Sequence, residues 1–256
     1  MSAEVVVQRD GAVAEIVWQR PRLNLFSGAT CAAFEAAVNE VSGARAVLVR
    51  AEGPVFCGGV DVHEFADLDT ETGAALMRRF LALVHRIEAI PVPTLVAVHA
   101  LNLTIGLEIA LGCDLIWAAP EAEMGLIEAK VGLTPAAGGT QRLVGRAGLG
   151  RATEMVFSGG RYGARELHEY GVVDQVIPAD QLLDAARARC AELAAGPTRA
   201  LTVAKQLLRT AARAGTTAAD AITADVTAPL FVTADAREGA AAVLRRNRPP
   251  AEFLGR

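Results

Sequence analysis

The sequence predicts an α/β fold that carries a helical C-terminal part. Short apolar runs typical of buried strands alternate with segments of helical spacing between residues 46 and 118, which indicates stacked β/α units in a spiral or wound sheet. From residue 179 onward nearly every segment has a helical pattern, and helices with broad apolar faces often pack across subunit interfaces. We therefore expect an α/β core over residues 1–178 and a helical oligomerisation region over residues 179–256.

The composition excludes several classes of protein. Of 256 residues, 52% are hydrophobic and 21% are charged, so the chain can bury a full core and is not disordered. A net charge of −4 argues against nucleic acid as the main partner. Four scattered cysteines without a C-x-x-C pair argue against a metal or redox site and fit a reducing cytoplasm. The chain does not open on a basic segment followed by an apolar stretch, and polar residues interrupt its most apolar region. We therefore expect a cytoplasmic protein without a membrane segment.

The elements of the core can be assigned in chain order. Apolar runs at residues 5–7 and 13–18 flank Asp10-Gly11, which predicts a β-hairpin. The elements expected next are a helix over 30–41, a strand over 46–49, a helix including 76–87, a strand over 94–98, a helix over 106–111 and a strand over 114–117. The C-terminal region is expected to contain helices over 179–195, 197–214, 217–230 and 234–246.

Two glycine-bearing turns that follow buried strands are candidates for a binding site. One covers residues 54–61, and the other covers residues 99–108 and leads into a helix. Ligands of α/β proteins lie at the carboxyl ends of strands, and a helix N-terminus presents free backbone N–H groups. Two such turns facing each other could supply two N–H donors to one carbonyl oxygen. The alternative, that each turn is only a tight connection, fits these residues equally well.

Two glutamates lie in largely apolar surroundings. Carboxylates rarely occur there without a partner or a task, and burial would raise the pKa of Glu108 and Glu128 toward the range that suits acid–base work. The alternative is a carboxylate that caps a backbone or faces an arginine, and the residues alone favour it. A further loop over residues 135–143 leads into a helix, where Thr140 is expected to serve at the N-cap. The sequence lacks a nucleophile elbow, a phosphate-binding P-loop and a paired-histidine zinc motif.

Taken together, six segments resemble the enoyl-CoA hydratase/isomerase (crotonase) family almost from end to end. The segments are Arg20-Pro21-Arg22-Leu23-Asn24 for the family's R-P-x-x-N, Phe56 to Asp61 for F-S-A-G-A-D, Leu103 to Asp114 for L-G-G-G-x-E-L-A-x-x-C-D, Glu128 for the glutamate of P-E, Gly132 to Leu143 ending in G-G-T-Q-R-L, and the C-terminal residues 233–256. Their common order and spacing make a chance resemblance very improbable.

The resemblance implies a crotonase-like spiral of ββα units, a homotrimer or dimer of trimers, and an acyl-CoA thioester substrate bound by the core. It implies an oxyanion hole made by the backbone N–H groups of Val60 and Ile105. In the family's hydratases, Glu108 would orient and deprotonate water while Glu128 delivers a proton to the α-carbon, without a metal or organic cofactor. The residues expected to contact the substrate or its CoA moiety are Arg22, Gly58, Val60, Asp61, His63 and Arg246.

The clearest departure from the family pattern is Thr104-Ile105-Gly106, where the family has three glycines. Because Ile105 is β-branched, it tolerates positive φ badly, and its side chain is expected to occupy space near the thioester. Three interpretations follow. The chain is a 2-enoyl-CoA hydratase, a Δ3,Δ2-enoyl-CoA isomerase that uses one carboxylate near Glu128, or a non-catalytic acyl-CoA-binding member of the family.

Overall fold

A computed structural model describes residues 4–20, 22–244 and 251–256, and in these ranges the strands form one six-stranded and one three-stranded sheet. The strands are β1 (Val5–Asp10), β2 (Val13–Trp18), β3 (Ala46–Ala51), β4 (Thr94–Val98), β5 (Asn102–Leu103), β6 (Leu115–Ala118), β7 (Glu123–Gly125), β8 (Tyr162–Gly163) and β9 (Gln175–Val176). The helices are α1 (Gly28–Glu40), α2 (Thr70–Glu88), α3 (Ile105–Gly112), α4 (Gly139–Ser158), α5 (Ala164–Glu169), α6 (Ala179–Ala195), α7 (Thr198–Ala214), α8 (Thr216–Thr227) and α9 (Ala234–Leu244). Short 3₁₀ segments cover Val62–Phe65, Glu128–Val131 and Ala228–Val232.

The large sheet has the order β1-β2-β3-β4-β6-β9, and the small sheet has the order β5-β7-β8. The hairpin predicted around Asp10-Gly11 is confirmed, because β1 pairs antiparallel with β2. From β2 to β9 every pair in the large sheet is parallel, as expected for stacked β/α units. The carboxyl ends of β3 and β4 therefore lie side by side, and both candidate turns begin there.

The two faces of the large sheet bury separate groups of apolar side chains. One face packs with α1, α2 and α3 in the main core, where Trp18 makes edge-on contacts with Phe26, Phe34 and Phe56. The other face packs Leu48 and its neighbours against α6. Phe56 belongs to the first candidate turn, so this aromatic cluster anchors that turn to the core.

Helix α7 is attached to the core by ion pairs. Asp114 binds Lys205 at 2.7 Å and Arg209 at 2.7 Å. Glu88, at the end of α2, binds Arg209 and Arg213 of α7 together with Arg142 of α4. Both carboxylates are largely enclosed, so these pairs are more strongly held than ordinary surface ion pairs.

Beyond α7 the chain leaves large apolar side chains exposed to solvent. Phe231 is 80% exposed, Val243 86% and Leu244 84%. Large apolar side chains that are this exposed are typical of a surface that binds another protein. None of the helices in the described part of the chain is both long and apolar enough to cross a membrane.

Candidate active site

In the first turn, the residues on either side of Val60 are each bonded to the backbone of Phe26. The N–H of Phe26 donates to the Gly59 carbonyl at 2.9 Å, and the N–H of Asp61 donates to the Phe26 carbonyl at 2.7 Å. Arg20 approaches the Asp61 carboxylate at 3.3 Å and fixes the far side of the turn. Among the described residues none accepts the N–H of Val60, so this donor is free for a ligand.

The second turn lies directly against the first. The N–H of Leu103 donates to the Cys57 carbonyl at 2.9 Å, and the N–H groups of Phe56 and Cys57 donate to the Leu101 carbonyl at 2.9 and 3.0 Å. Ile105 is the first residue of α3, where a helix leaves its N–H groups without internal acceptors. The two turns predicted to face each other are therefore joined, and each brings one free backbone donor.

The unusual backbone conformation of the second turn belongs to Thr104, one residue before Ile105. Thr104 has φ 51° and ψ −122°, a region that β-branched residues rarely occupy, which costs about 1–3 kcal/mol. Ile105 has helical backbone angles, and its side chain is 1% exposed within the main core. The Ile105 side chain thus packs in the core, and the expectation that it occupies space near the thioester stays a prediction.

Glu108 lies one turn into α3 and is almost completely buried. Its Oε1 accepts the backbone N–H groups of Ala137 at 2.9 Å and Gly139 at 2.8 Å. Burial raises the pKa of Glu108 to about 7, and the nearby Glu128 carboxylate adds to the increase. The two N–H donors and the charge of Arg142 oppose it. Glu108 is thus held in one orientation and titrates near neutral pH.

The two bonds to Glu108 also explain how α4 begins. The helix starts at Gly139, with Gly138 as its N-cap residue in the left-handed region at φ 95°. Thr140 is therefore the second helical residue, and the prediction that it serves as the N-cap was wrong. Glu108 does the capping from another helix, since a carboxylate is a strong acceptor for the free N–H groups of a helix start.

Glu128 opens the 3₁₀ segment Glu128–Val131. The segment ends at Gly132, whose φ of 74° closes the turn, and the Leu133 N–H donates to the Glu128 carbonyl at 3.0 Å. Burial raises the pKa of Glu128 to about 7. Its Oε2 is buried and accepts from no group in the described part of the chain. A buried oxygen in that state is available for a proton or a ligand donor.

The site thus combines two carboxyl groups whose pKa values are raised to about 7 with two free backbone N–H donors, at the ends of parallel strands. The family model for enoyl-CoA hydratase/isomerase matches residues 8–252. The chain belongs to the enoyl-CoA hydratase/isomerase family.

Relatives of this family member differ in their acyl substrates, as their names state. Human mitochondrial methylglutaconyl-CoA hydratase is 34% identical over 212 residues, which cover 80% of this chain and 62% of that protein, less than two thirds of its length. The 2,3-dehydroadipyl-CoA hydratase of Escherichia coli K12 is 31% identical over 99% of this chain and 100% of its own. The crystal structure of an enoyl-CoA hydratase subunit of Geobacillus kaustophilus HTA426 has a TM-score of 0.92 and 32% identity over 99% of this chain and 98% of its own.

The other residues suggested by the family pattern lie at the rim of the first turn. Arg22 and His63 are exposed, and the Gly58 N–H donates to the Leu23 carbonyl at 2.8 Å, which brings the Arg22 loop to the turn. Asp61 caps the 3₁₀ segment that contains His63. Arg246 lies outside the described residues. The contacts of these residues with CoA stay predictions.

Two residues to which the sequence assigned no individual role hold the segments around the site in place. Buried Asn24 donates to the carbonyls of Glu52 at 2.8 Å and Val55 at 3.0 Å, and so ties the loop after β2 to the entrance of the first turn. Arg142 donates to the Gly138 carbonyl at 3.2 Å and pairs with Glu88 at 2.5 Å. The Gly138-Gly139 pair before a helix was the sequence signal for this second arrangement.

A separate cavity of about 570 Å³ lies at the opposite end of the parallel strands. It is lined by side chains of both charge signs, among them Arg45, Arg187 and Glu252. Glu108 and Glu128 do not line it, so it is distinct from the site described above.

Proposed function

We propose that the chain is a 2-enoyl-CoA hydratase that works through two backbone donors and two glutamates. The observation that carries the proposal is the pair Glu108 and Glu128, each with a pKa raised to about 7, in a site where one of them is fixed by two N–H bonds. General acids and bases work best when their pKa lies near the operating pH.

In the proposed reaction the thioester oxygen accepts from the N–H groups of Val60 and Ile105. Ionised Glu108 takes a proton from water as the water oxygen bonds to the β-carbon. The electron pair of the double bond passes to the α-carbon, where neutral Glu128 delivers its proton. Water is thus added across the double bond, and the pair still holds one proton. Each donor to the developing enolate oxygen contributes about 3–4 kcal/mol to the stability of the transition state.

The proposed substrate is an acyl-CoA thioester, and the two glutamates and backbone donors need no separate cofactor for this addition. We propose a homotrimer or dimer of trimers, supported by the exposed apolar side chains Phe231, Val232 and Val243 in the C-terminal part. The relatives act on different acyl groups by name, so the preferred acyl group is a matter for screening.

A second candidate is a Δ3,Δ2-enoyl-CoA isomerase. The observation that favours it is that Glu108 caps α4, which gives that carboxylate a structural task and leaves Glu128 with its unpaired Oε2 as the single acid–base group. In that reaction Glu128 would move one proton between two carbons of the acyl chain.

The test is the loss of the ultraviolet absorbance of conjugated thioesters when purified protein meets 2-enoyl-CoA esters of several chain lengths. A hydratase removes the absorbance, and both Glu108→Gln and Glu128→Gln abolish the loss. An isomerase instead generates the absorbance from 3-enoyl-CoA and suffers mainly from Glu128→Gln. The control Glu121→Gln alters an exposed glutamate and leaves either rate unchanged. Tight binding without turnover of any ester contradicts both and favours a binding protein.

A further inference from the structure

Two hydrogen bonds hold the backbone of Thr104 in a conformation that glycine favours. Its N–H donates to the Gly125 carbonyl at 2.9 Å, and its own carbonyl accepts the Glu108 N–H at 3.1 Å. Both bonds belong to elements that fix the second turn, so the surroundings determine the unusual φ of 51°. Backbone conformations of this kind persist where the rest of the fold requires them, and they concentrate at functional sites.

The Thr104 hydroxyl is buried without a hydrogen-bond partner. The residue is 8% exposed, and Oγ1 makes no hydrogen bond with any residue in the ranges that the structure describes. A buried hydroxyl that lacks an acceptor is uncommon and calls for an explanation. A ligand atom that accepts its proton would supply one.

The hydroxyl lies between the two turns. A Cβ placed on Gly59 would be 3.1 Å from Oγ1 and 3.6 Å from Cγ2 of Thr104, so this side chain fills the space beside Gly59. Gly59 precedes Val60, and Thr104 precedes Ile105. The side chain therefore bridges the two residues whose following N–H groups form the proposed oxyanion hole.

Peptide geometry places the ligand oxygen beside this side chain. In a trans peptide the Cα of the preceding residue lies on the same side of the C–N bond as the N–H. An oxygen that accepts from both Val60 and Ile105 is thus bordered by the Cα atoms of Gly59 and Thr104. The Thr104 hydroxyl is two bonds from one of these atoms and lies beside the position that a Cβ on the other would occupy, and its hydrogen can rotate.

We propose that the Thr104 hydroxyl is a third donor to the thioester oxygen, beside the two backbone N–H groups. The hydroxyl keeps its proton throughout, so it stabilises charge and takes no part in proton transfer. The proposal rests on the proposed oxyanion hole and adds a side chain that the family's glycine cannot supply. It predicts that this site polarises a bound thioester carbonyl more strongly when Thr104 is present.

The test compares Thr104→Val, which keeps the shape and removes the donor, with Thr104→Ser, which keeps the donor. The first readout is the absorption maximum of bound 4-dimethylaminocinnamoyl-CoA, which moves to longer wavelength as its carbonyl is polarised and requires no turnover. The second readout is kcat and KM for hydration. Thr217→Val alters an exposed threonine and serves as the matched control.

We expect Thr104→Val to lose most of the spectral shift and to lower kcat about 10²-fold, the loss typical of one oxyanion-hole donor, with little change in KM. Thr104→Ser should keep both. Thermal unfolding of each variant shows whether the fold is retained. An unchanged shift and kcat in Thr104→Val overturns the proposal, and so does a Thr104→Gly variant with a higher kcat, because the side chain would then obstruct the site.

The spectral readout distinguishes failure of this proposal from failure of the proposed hydratase function. If the wild-type protein hydrates no ester, a spectral shift that is lost in Thr104→Val still supports the donor, whereas a bound probe without any shift overturns it.

Discussion

The N–H of Gly139 donates to Oε1 of Glu108 at 2.8 Å, and this bond joins the start of α4 to the candidate acid–base group. A Cβ on Gly139 would lie 2.9 Å from Cγ of Glu108, 2.9 Å from Cδ1 of Leu126 and 3.0 Å from Oε1 itself. The absence of a side chain here is therefore what lets the carboxylate approach the helix start. Position 139 sets the placement of Glu108.

Gly139→Ala is accordingly expected to displace the Glu108 carboxylate. Small displacements of catalytic groups are costly, so we expect kcat for hydration to fall by about 10–100-fold. Gly145→Ala is the matched control, since Gly145 lies in the same helix with nothing within 4 Å of an added Cβ. That control should keep its kcat and gain about 0.5–1 kcal/mol of unfolding free energy. Equal rates in both variants would show that the position of Glu108 does not matter.

The pH dependence of hydration follows from the two raised pKa values. The proposed reaction needs Glu108 ionised and Glu128 neutral, and both titrate at about 7. We therefore expect kcat to follow a narrow bell with both limbs close to neutral pH. A kcat that is constant from about pH 5.5 to 8.5 would contradict the assignment of the pair as acid and base.

Arg142 is expected to set the acidic limb of that bell. Its positive charge opposes the increase in the pKa of Glu108, and its bond to the Gly138 carbonyl supports the turn that donates to Glu108. Arg142→Met should raise the pKa of Glu108 and move the acidic limb to higher pH, while Arg142→Lys should move it less. Arg189→Met removes an exposed arginine and should leave the profile in place. A purely structural role for Arg142 would lower kcat without moving the limb.

Burial of Glu108 is also expected to cost stability in a pH-dependent way. Its pKa is higher in the folded protein than the ordinary value of 4.5, so its favourable contribution is present below about pH 4.5 and is lost as pH rises to about 7. Glu108→Gln should therefore unfold less readily than wild type at pH 8, by on the order of 1–3 kcal/mol. Urea unfolding at pH 8 and pH 5 measures this, and the difference should shrink at the lower pH. A variant less stable than wild type at pH 8 would show that the carboxylate's two bonds outweigh its desolvation.

Glu88 is expected to show the opposite pH dependence. Burial works against its ionised form, but the Arg142 bond and the charges of Arg209 and Arg213 hold its pKa below the ordinary value. This contribution to stability is present above about pH 4.5 and is lost as pH falls further. Glu88→Ala removes the carboxylate shared by three arginines, of which Arg209 keeps Asp114 and Arg142 keeps the Gly138 carbonyl. It should lower the unfolding free energy at pH 7 by about 1–3 kcal/mol. A loss below about 0.5 kcal/mol, typical of surface substitutions, would contradict this.

Many strands and helices could be predicted because the sequence patterns that indicate them are local. The Asp10-Gly11 hairpin, the buried strand over Thr94–Val98 and the bounds of α6 follow from turn residues, apolar runs and a Gly-Pro boundary. Glu108 and Glu128 were found because carboxylates in apolar segments are unusual. The two interpretations offered for Glu108, capping and acid–base work, are not exclusive, since the same carboxylate caps α4 and has a raised pKa.

What the sequence did not predict depends on contacts between distant segments. Threonine is a residue type that favours the N-cap, but the free Gly139 N–H at the start of α4 is already bonded by the Glu108 carboxylate, 31 residues away in the chain. The sequence drew attention to Ile105, but the positive φ belongs to Thr104. Ile105 is the first residue of α3 and takes helical angles, so the chain must change direction one residue earlier. The role of Arg142 could not be predicted, because its partner Glu88 lies in α2 and meets α4 only in the folded chain.

The saturation of one Glu108 oxygen has a consequence for the handedness of the product. Because Oε1 already accepts two amide hydrogens, Oε2 is the oxygen that can hold a proton or a water molecule. The two oxygens cannot exchange places without breaking both bonds, so in the proposed hydration the water would be held at a fixed position beside Glu108. If the oxyanion hole also fixes the acyl group, the same face of the double bond would always meet that water, and the proposed hydration would yield a single enantiomer at the β-carbon.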